Sequence, residues 1–244
     1  MIAVFTQTYG DDRRELYQIR EKDNLLNYFV SSFDMNIYSF HNCSSQTIDF
    51  FKSINKMNNT KYYELNNLSY TDSLKFIIDE LKKFNCTKLI FLQDDVFTFN
   101  QSKEELDVII NYIKFGKSPL INLEMNVSDF KSDIKNNKNP IFNENGVEIY
   151  KFFTKDFSEN GRYSFDDAPF SIDFDLINVI FDDQFFTMGD VWRGEMYNNE
   201  KFKIINFPRY CTNKIFLKRY NIVGRNNWNR SAEFIDLNKN FLIK

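Results

Sequence analysis

Two adjacent carboxylates, Asp94 and Asp95, hold the position in this sequence that most clearly suggests chemistry. They follow the segment Lys88–Leu92, which is apolar after its first residue and predicts a buried strand. A carboxylate pair at the end of such a strand is well placed to bind a divalent cation through its oxygen atoms. Asp is also common in turns and helix caps, so the pair taken alone leaves a metal site and a capped turn equally open.

The elements around this pair alternate between strand and helix through the first half of the chain. Strands are predicted at Ile2–Thr6, Asn36–Phe40, Tyr62–Leu65 and Lys88–Leu92, and helices at Arg13–Phe33, Ile48–Ile54 (capped by Ser45 or Thr47), Thr71–Leu81 and Lys103–Phe115. Such alternation favours a mainly parallel sheet with right-handed crossovers. Ligands of these sheets bind at the carboxyl ends of the strands, where Asp94 and Asp95 are expected.

The alternation weakens after Ser118. The predicted elements are strands at Pro119–Leu123 and Lys203–Phe207, a polar loop or hairpin at Phe130–Asn145, an extended segment at Glu148–Phe153, and short helices at Asp173–Ile180 and Gly189–Tyr197. No internal repeat and no linker-like composition divides the chain. We therefore predict one α/β domain with a central sheet flanked by helices and a more irregular C-terminal part.

Composition limits the class of protein. The chain has 244 residues, of which 43% are hydrophobic, while 7 Gly and 4 Pro argue against a disordered chain. A net charge of −3 gives no reason to expect nucleic acid as a partner. The three cysteines are far apart in the sequence, which predicts free thiols in a reducing compartment. No signal peptide and no membrane-spanning run is apparent, so we expect a cytoplasmic protein; the oligomeric state is not predicted.

Four short segments, in this order, resemble motifs of the glycosyltransferases of the GT-A fold, most closely those of the family 2 inverting enzymes. They are Thr6–Gly10, His41–Ser44, Gln93–Asp95 and Gly189–Arg193. The resemblance covers roughly residues 1–211, and each motif departs from the family pattern. The first turn lacks the usual Pro, the acidic residue that reads the base is replaced by His41, the Asp-x-Asp motif keeps only its second and third positions, and the late metal-binding His is missing.

The resemblance implies a GT-A-like single domain, with residues of about 1–117 binding the nucleotide sugar and about 118–244 binding the acceptor. The implied donor is a UDP- or GDP-sugar, the acceptor is a hydroxyl of a glycan or another molecule, and the cofactor is Mn²⁺ or Mg²⁺. Asp95 would bind the metal, and Asp94 would bind the ribose or the metal and its water shell. Asp190 would be the catalytic base of an inverting transfer, with Asp166–Asp167 and Asp182–Asp183 as rival acidic pairs.

The remaining donor-side candidates are Thr6, Thr8, Tyr9, Arg13, His41 and Asp72. Each has an ordinary structural alternative. Tyr9 either stacks on the base or packs in its turn, and Arg13 either contacts the diphosphate or stays solvated. His41 either contacts the base or is a hydrogen-bonded loop residue, and Asp72 either approaches the donor or stabilises the first turn of its helix.

The chemistry explains why these residue types would occur together. Cleaving a sugar–diphosphate bond leaves an anionic nucleoside diphosphate, which a divalent cation held by carboxylates stabilises. The acceptor hydroxyl is a poor nucleophile, and a carboxylate on the other side of the reacting carbon can take its proton. Two other classes stay open: a sugar-phosphate nucleotidyltransferase, although its Gly-rich phosphate loop is absent, and a non-catalytic nucleotide-sugar or glycan-binding module.

Overall fold

The computed structural model describes residues 1–9, 14–68, 70–153, 156, 169–180, 208–219, 221–222 and 234–235. The strands are β1 (Ile2–Tyr9), β2 (Met35–His41), β3 (Thr60–Glu64), β4 (Lys88–Gln93), β5 (Val96–Thr98), β6 (Leu120–Asn126), β7 (Pro140–Glu144), β8 (Val147–Phe153), β9 (Phe170–Asp173), β10 (Pro208–Thr212), β11 (Leu217–Arg219), β12 (Asn221–Ile222) and β13 (Phe234–Ile235). The helices are α1 (Arg14–Lys22), α2 (Asn24–Ser31), α3 (Ser45–Ile54), α4 (Tyr70–Lys83), α5 (Lys103–Phe115), α6 (Ser132–Lys135) and α7 (Phe174–Ile180), with a 3₁₀ turn at Val127–Asp129.

The described residues build a nine-stranded central sheet in the order β3-β2-β1-β4-β9-β6-β10-β8-β7. Pairing is parallel through β3, β2, β1 and β4 and between β6 and β10, whereas β9 and β8 run in the opposite direction. The predicted fold class is confirmed: this is an α/β protein with a large, mostly parallel sheet flanked by helices. Because β1, β2 and β4 are parallel neighbours, their carboxyl ends meet at one edge.

Side chains alternate between two packed faces of this sheet. Ala3 and Phe5 of β1 face the core that includes residues of α4 and α7, whereas Val4 faces the core that includes α2 and α5. On the α4 face, the ring of Phe91 lies 5.6 Å from that of Phe5 and 5.4 Å from that of Phe170, centroid to centroid. Each buried Phe contributes about 1.5–3 kcal/mol through its apolar area alone, so this ladder of rings holds β4 firmly between β1 and β9.

The helix predicted at Arg13–Phe33 is in fact two helices. Asp23 interrupts it: its side chain accepts a hydrogen bond from Leu26 N at 2.9 Å and thereby caps α2. A 3.6-residue apolar period continues across such a break, and for that reason the pattern alone suggested one helix. The cap of α3 is also corrected, since Ser44, and neither Ser45 nor Thr47, accepts the capping bond, from Thr47 N at 3.3 Å.

The second half agrees with the predictions only in part. The hairpin allowed at 130–145 is present, because β7 pairs with β8 through the two-residue turn Asn145–Gly146, and both turn residues have positive φ. Strand β9 was not predicted, and the helix expected from Asp173 begins at Phe174. The strand predicted at 203–207 and the helix predicted at 189–197 lie outside the described residues. Strand β10 begins at Pro208.

Two predictions from composition can be compared with the structure. All three cysteines are buried free thiols. Within the described ranges, no helix combines the length and the apolar composition that crossing a membrane requires.

Candidate functional site

The candidate site lies at the edge where β1, β2 and β4 end. In the parallel registers, Gln7 is the partner of both Ser39 and Gln93, and Tyr9 is the partner of His41. The backbone N–H of Asp94 donates to Gln7 O at 3.1 Å, so the turn after β4 is attached to the end of β1. Three sequence motifs that are far apart along the chain are therefore neighbours in space, as the predicted parallel sheet required.

Asp94 and Asp95 form the turn between β4 and β5. The side chain of Asp94 is only 4% exposed, whereas that of Asp95 is half-buried. Among the described residues, no three or more Asp, Glu, His or Cys side chains come together as a metal-binding group. A pair of carboxylates is nevertheless the type of donor set that suits Mg²⁺ or Mn²⁺ when water and phosphate oxygens supply the other ligands. The residues present thus fit such an ion only together with a phosphate-bearing ligand.

His41 ends β2 and is not a loop residue. Its ring is 3% exposed, and its Nε2 atom lies 3.0 Å from Ser39 Oγ and 3.4 Å from Gln7 Nε2. Burial lowers the pKa of His41 to about 4, so the imidazole is neutral near pH 7. A neutral imidazole that contacts an amide and a hydroxyl presents hydrogen-bonding atoms without charge.

Gln7 and Ser39 were not among the predicted site residues. The two-residue period of a strand was the available signal, because Ser39 and His41 share a face of β2, and Gln7 is the register partner of Ser39 on β1. That signal becomes useful only when the neighbouring strand and the register are known. The sequence does not contain this information in any local pattern.

Thr6 and Thr8 point to the opposite face of β1. The hydroxyl of Thr6 accepts a hydrogen bond from Arg20 Nη2 at 3.3 Å, and Arg20 Nη1 donates to Gln93 O at 2.8 Å. Thr8 is fully buried, and its hydroxyl makes no hydrogen bond with any residue in the described ranges. A buried hydroxyl without a partner costs about 1–3 kcal/mol, which gives Thr8 the stronger claim of the two to a partner outside these residues.

The side-chain amide of Asn66 makes two hydrogen bonds to the backbone of the turn after β2. Asn66, in the loop before α4, accepts from Cys43 N at 3.3 Å and donates from Nδ2 to Cys43 O at 3.5 Å. Asn42 adopts the left-handed conformation with φ 53°, which Asn tolerates better than most residues. This backbone path carries the chain from His41 to the cap of α3 at Ser44.

The structure describes only some of the other predicted site residues. Asp72 is an exposed residue in the first turn of α4, and that helix follows a strand that ends at the same edge. The backbone of Tyr9 ends β1, while its side chain lies outside the described part of the structure. Arg13, Asp190 and the acidic pairs Asp166–Asp167 and Asp182–Asp183 also lie outside it, so their roles stay predictions.

A cavity of about 450 Å³ lies away from this edge. It is lined by residues at the amino end of β2 and by the α1–α2 and α3–β3 connections, among them Glu21, Asn24, Asp34, Asn36 and Lys56. Burial raises the pKa of the Glu21 carboxyl, and the nearby Lys56 partly offsets the effect. None of the predicted site residues lines this cavity.

The sequence matches no protein-family model and no curated protein. The fold does match solved structures. Over 88% of this chain and 59% of the other, it superposes on S. aureus TarS 1–349 with 14% identity and a TM-score of 0.52. The same protein in complex with UDP-GlcNAc gives 14% identity and a TM-score of 0.51, over 88% and 57% of the two chains. UDP-glucose pyrophosphorylase complexed with UDP-glucose matches at 10% identity over 90% and 93%, with a TM-score of 0.45.

These comparisons define the fold. The first two matches exceed a TM-score of 0.5, and at 14% identity they concern the fold alone. The chain spans just under three fifths of each of these two TarS structures. The protein therefore shares the fold of these TarS structures, an α/β fold with a large, mostly parallel central sheet.

Proposed function

We propose that this protein is a glycosyltransferase that moves a sugar from a nucleotide-diphosphate donor to a hydroxyl of a glycan or another acceptor. The observation that carries the proposal is the meeting of the ends of β1, β2 and β4, which brings two carboxylates and a buried neutral imidazole to the same edge of the sheet. In parallel α/β sheets this edge is where ligands bind. The fold shared with TarS, one of whose structures contains UDP-GlcNAc, makes a uridine nucleotide the first donor to test.

The donor side of the proposal uses the residues at this edge. Asp95, with Asp94, would hold Mn²⁺ or Mg²⁺ against the diphosphate. Such an ion would neutralise charge that develops on the leaving diphosphate. Thr8 has a buried hydroxyl with no hydrogen bond to the described residues, and in this proposal it would bond to the nucleotide. His41 would offer the base an uncharged hydrogen-bonding atom, which suits a nucleobase edge better than a charged imidazolium.

The acceptor side of the proposal rests on the sequence. Asp190 would take the proton from the acceptor hydroxyl while that oxygen attacks the anomeric carbon and the diphosphate leaves from the opposite side. One displacement of this kind inverts the anomeric centre. Asp190 is the candidate because Gly189–Arg193 resembles the corresponding family motif, and Asp166–Asp167 or Asp182–Asp183 would replace it if it fails.

Calorimetry with UDP, GDP, UDP-GlcNAc and a GDP-sugar, in Mn²⁺ and in EDTA, tests the donor side. Wild-type protein is compared with Asp95→Asn, and Asp173→Asn serves as the control, because Asp173 lies on β9 and pairs with Lys88 at the other end of β4. We expect nucleotide binding that weakens at least tenfold in EDTA and in Asp95→Asn, and that is unchanged in the control.

The outcomes separate the classes that stay open. Equal affinities in all conditions would remove the metal role from Asp95. Donor binding without any transfer or hydrolysis of the sugar would indicate a binding module. Formation of a nucleotide sugar from a nucleoside triphosphate and a sugar phosphate would indicate a nucleotidyltransferase.

A further inference from the structure

The junction of α1 and α2 places two charged side chains in the interior, next to the candidate site. Arg20 is 5% exposed and Asp23 is 6% exposed, and they lie one helical turn apart. Charged side chains are costly to bury, and they stay buried only where hydrogen bonds replace water. The partners of these two side chains are therefore informative.

Arg20 binds the chain just before the aspartate pair. Its guanidinium donates from Nη1 to Gln93 O at 2.8 Å and from Nη2 to Thr6 Oγ1 at 3.3 Å. The first bond holds the last residue of β4, directly before Asp94. The second bond attaches the same side chain to the neighbouring strand β1. The planar guanidinium can bridge two acceptors at once, and a lysine ammonium would not hold both in the same geometry.

Asp23 binds the chain just after the aspartate pair. Its carboxylate accepts hydrogen bonds from Thr98 N at 3.0 Å and from Thr98 Oγ1 at 2.9 and 3.0 Å. One of its oxygens also caps α2 through Leu26 N. The cap alone requires only one oxygen, so the contacts to Thr98 are additional to what the helix needs.

One helix junction thus holds both ends of the six-residue segment Gln93–Thr98. The Asp94 N–H bond to Gln7 O attaches the start of the turn to β1, and β5 pairs with β11. A turn held at both ends and at Asp94 keeps its carboxylates in place before a ligand arrives. Binding then loses less conformational entropy than it would with a mobile turn.

We infer that Arg20 and Asp23 are positioning residues, which hold the turn of Asp94 and Asp95 in the geometry that binds a metal–diphosphate group. This inference rests on the proposed function, because it concerns the same site. Neither residue touches the ligand in this proposal. They act through the backbone of Gln93 and through Thr98. A purely structural role would require only that they contribute to folding.

The test uses full-length variants that alter the contacts without leaving a bare buried charge. Arg20→Lys keeps the charge but loses the bridging geometry, and Thr98→Val removes the hydroxyl and leaves its backbone N–H bond to Asp23. Lys88→Met is the control, because it removes a buried side chain whose Nζ lies 3.0 Å from Asp173 Oδ1 at the far end of the same strand. All are measured by urea denaturation, by hydrogen–deuterium exchange and by calorimetry with UDP or GDP in Mn²⁺ and in EDTA.

We expect amide exchange of the peptide containing residues 93–98 to become at least tenfold faster in Arg20→Lys and Thr98→Val, with no such local change in Lys88→Met. Affinity for the nucleotide in Mn²⁺ is expected to fall about tenfold in the first two variants and to stay constant in EDTA. Variants that lose stability like the control but keep the wild-type affinity in Mn²⁺ would overturn this inference alone. A wild-type protein that binds neither nucleotide would overturn the proposed function, and the inference with it.

Discussion

Replacing His41 with Gln is expected to remove part of the pH dependence of stability. His41 is the single histidine of the chain, it is 3% exposed, and burial lowers its pKa from 6.5 to about 4. In the unfolded chain the imidazole returns to its ordinary value and binds a proton below about pH 6.5. In the folded protein it stays neutral until the pH approaches 4.

The sign of the effect follows from proton counting. Between pH 6.5 and 4 the unfolded state binds more protons than the folded state at this residue, so stability falls as the pH falls. Titration between the two pKa values 6.5 and 4 gives a loss of about 2 kcal/mol from pH 7 to pH 5 and about 3 kcal/mol by pH 4. Little of this is screened by solvent, because the ring is buried. Carboxylates also titrate in this range, but they are common to wild type and variant.

The measurement is a comparison of urea denaturation at pH 7 and pH 5. The loss of unfolding free energy on acidification is expected to be about 2 kcal/mol larger in wild type than in His41→Gln. Ser39→Ala is the control, since it removes a neighbour of Nε2 but retains the titrating imidazole, and it should keep most of the pH dependence. The single imidazole also gives a single NMR titration curve, for which we expect a midpoint near pH 4.

Two results would refute this reasoning. An NMR midpoint near 6.5 would mean that the imidazole is solvated in the folded protein. Equal pH dependence in wild type and His41→Gln would mean that burial of the ring does not exclude its proton. Either result would also weaken the proposal that a neutral imidazole faces the nucleobase.

The remaining predictions concern three other positions. Thr8→Val is expected to leave the unfolding free energy within about 1 kcal/mol of wild type or to raise it, because the lost hydroxyl makes no hydrogen bond with the described residues. The same variant is expected to bind the nucleotide more weakly in calorimetry, and a large loss of stability in urea would contradict this prediction. Asp190→Asn is expected to lower turnover by roughly 10²- to 10⁴-fold with donor affinity nearly unchanged, and near-wild-type transfer would exclude Asp190 as the base. Gly146→Ala is expected to lower the unfolding free energy by about 1 kcal/mol in urea denaturation, because its φ of +76° is unfavourable for a residue with a Cβ. No atom lies within 4 Å of the added Cβ, so a clash does not add to this cost. Asn145→Gly is the control that should be tolerated, because Asn145 also has a positive φ.

Several features of this protein could be predicted from the sequence because they depend on residues close together in the chain. The apolar run before Asp94 and the helix periodicity of α4 and α5 each act over fewer than about twenty residues, and the strand–helix alternation is a succession of such local patterns. Together with the handedness of crossovers, they were sufficient to predict the parallel part of the sheet that β1, β2, β3 and β4 form. They also predicted correctly that the ends of β1, β2 and β4 meet.

The tertiary structure decided what depends on distant residues. Strand β9 inserts antiparallel between β4 and β6, and no local pattern identifies that partner. Asp23 caps α2 locally, but its carboxylate also binds Thr98, which is 75 residues away. His41 loses its proton because neighbouring strands and helices bury it. Burial, register and long-range hydrogen bonds arise only when the chain is packed, since each requires groups that the sequence places far apart.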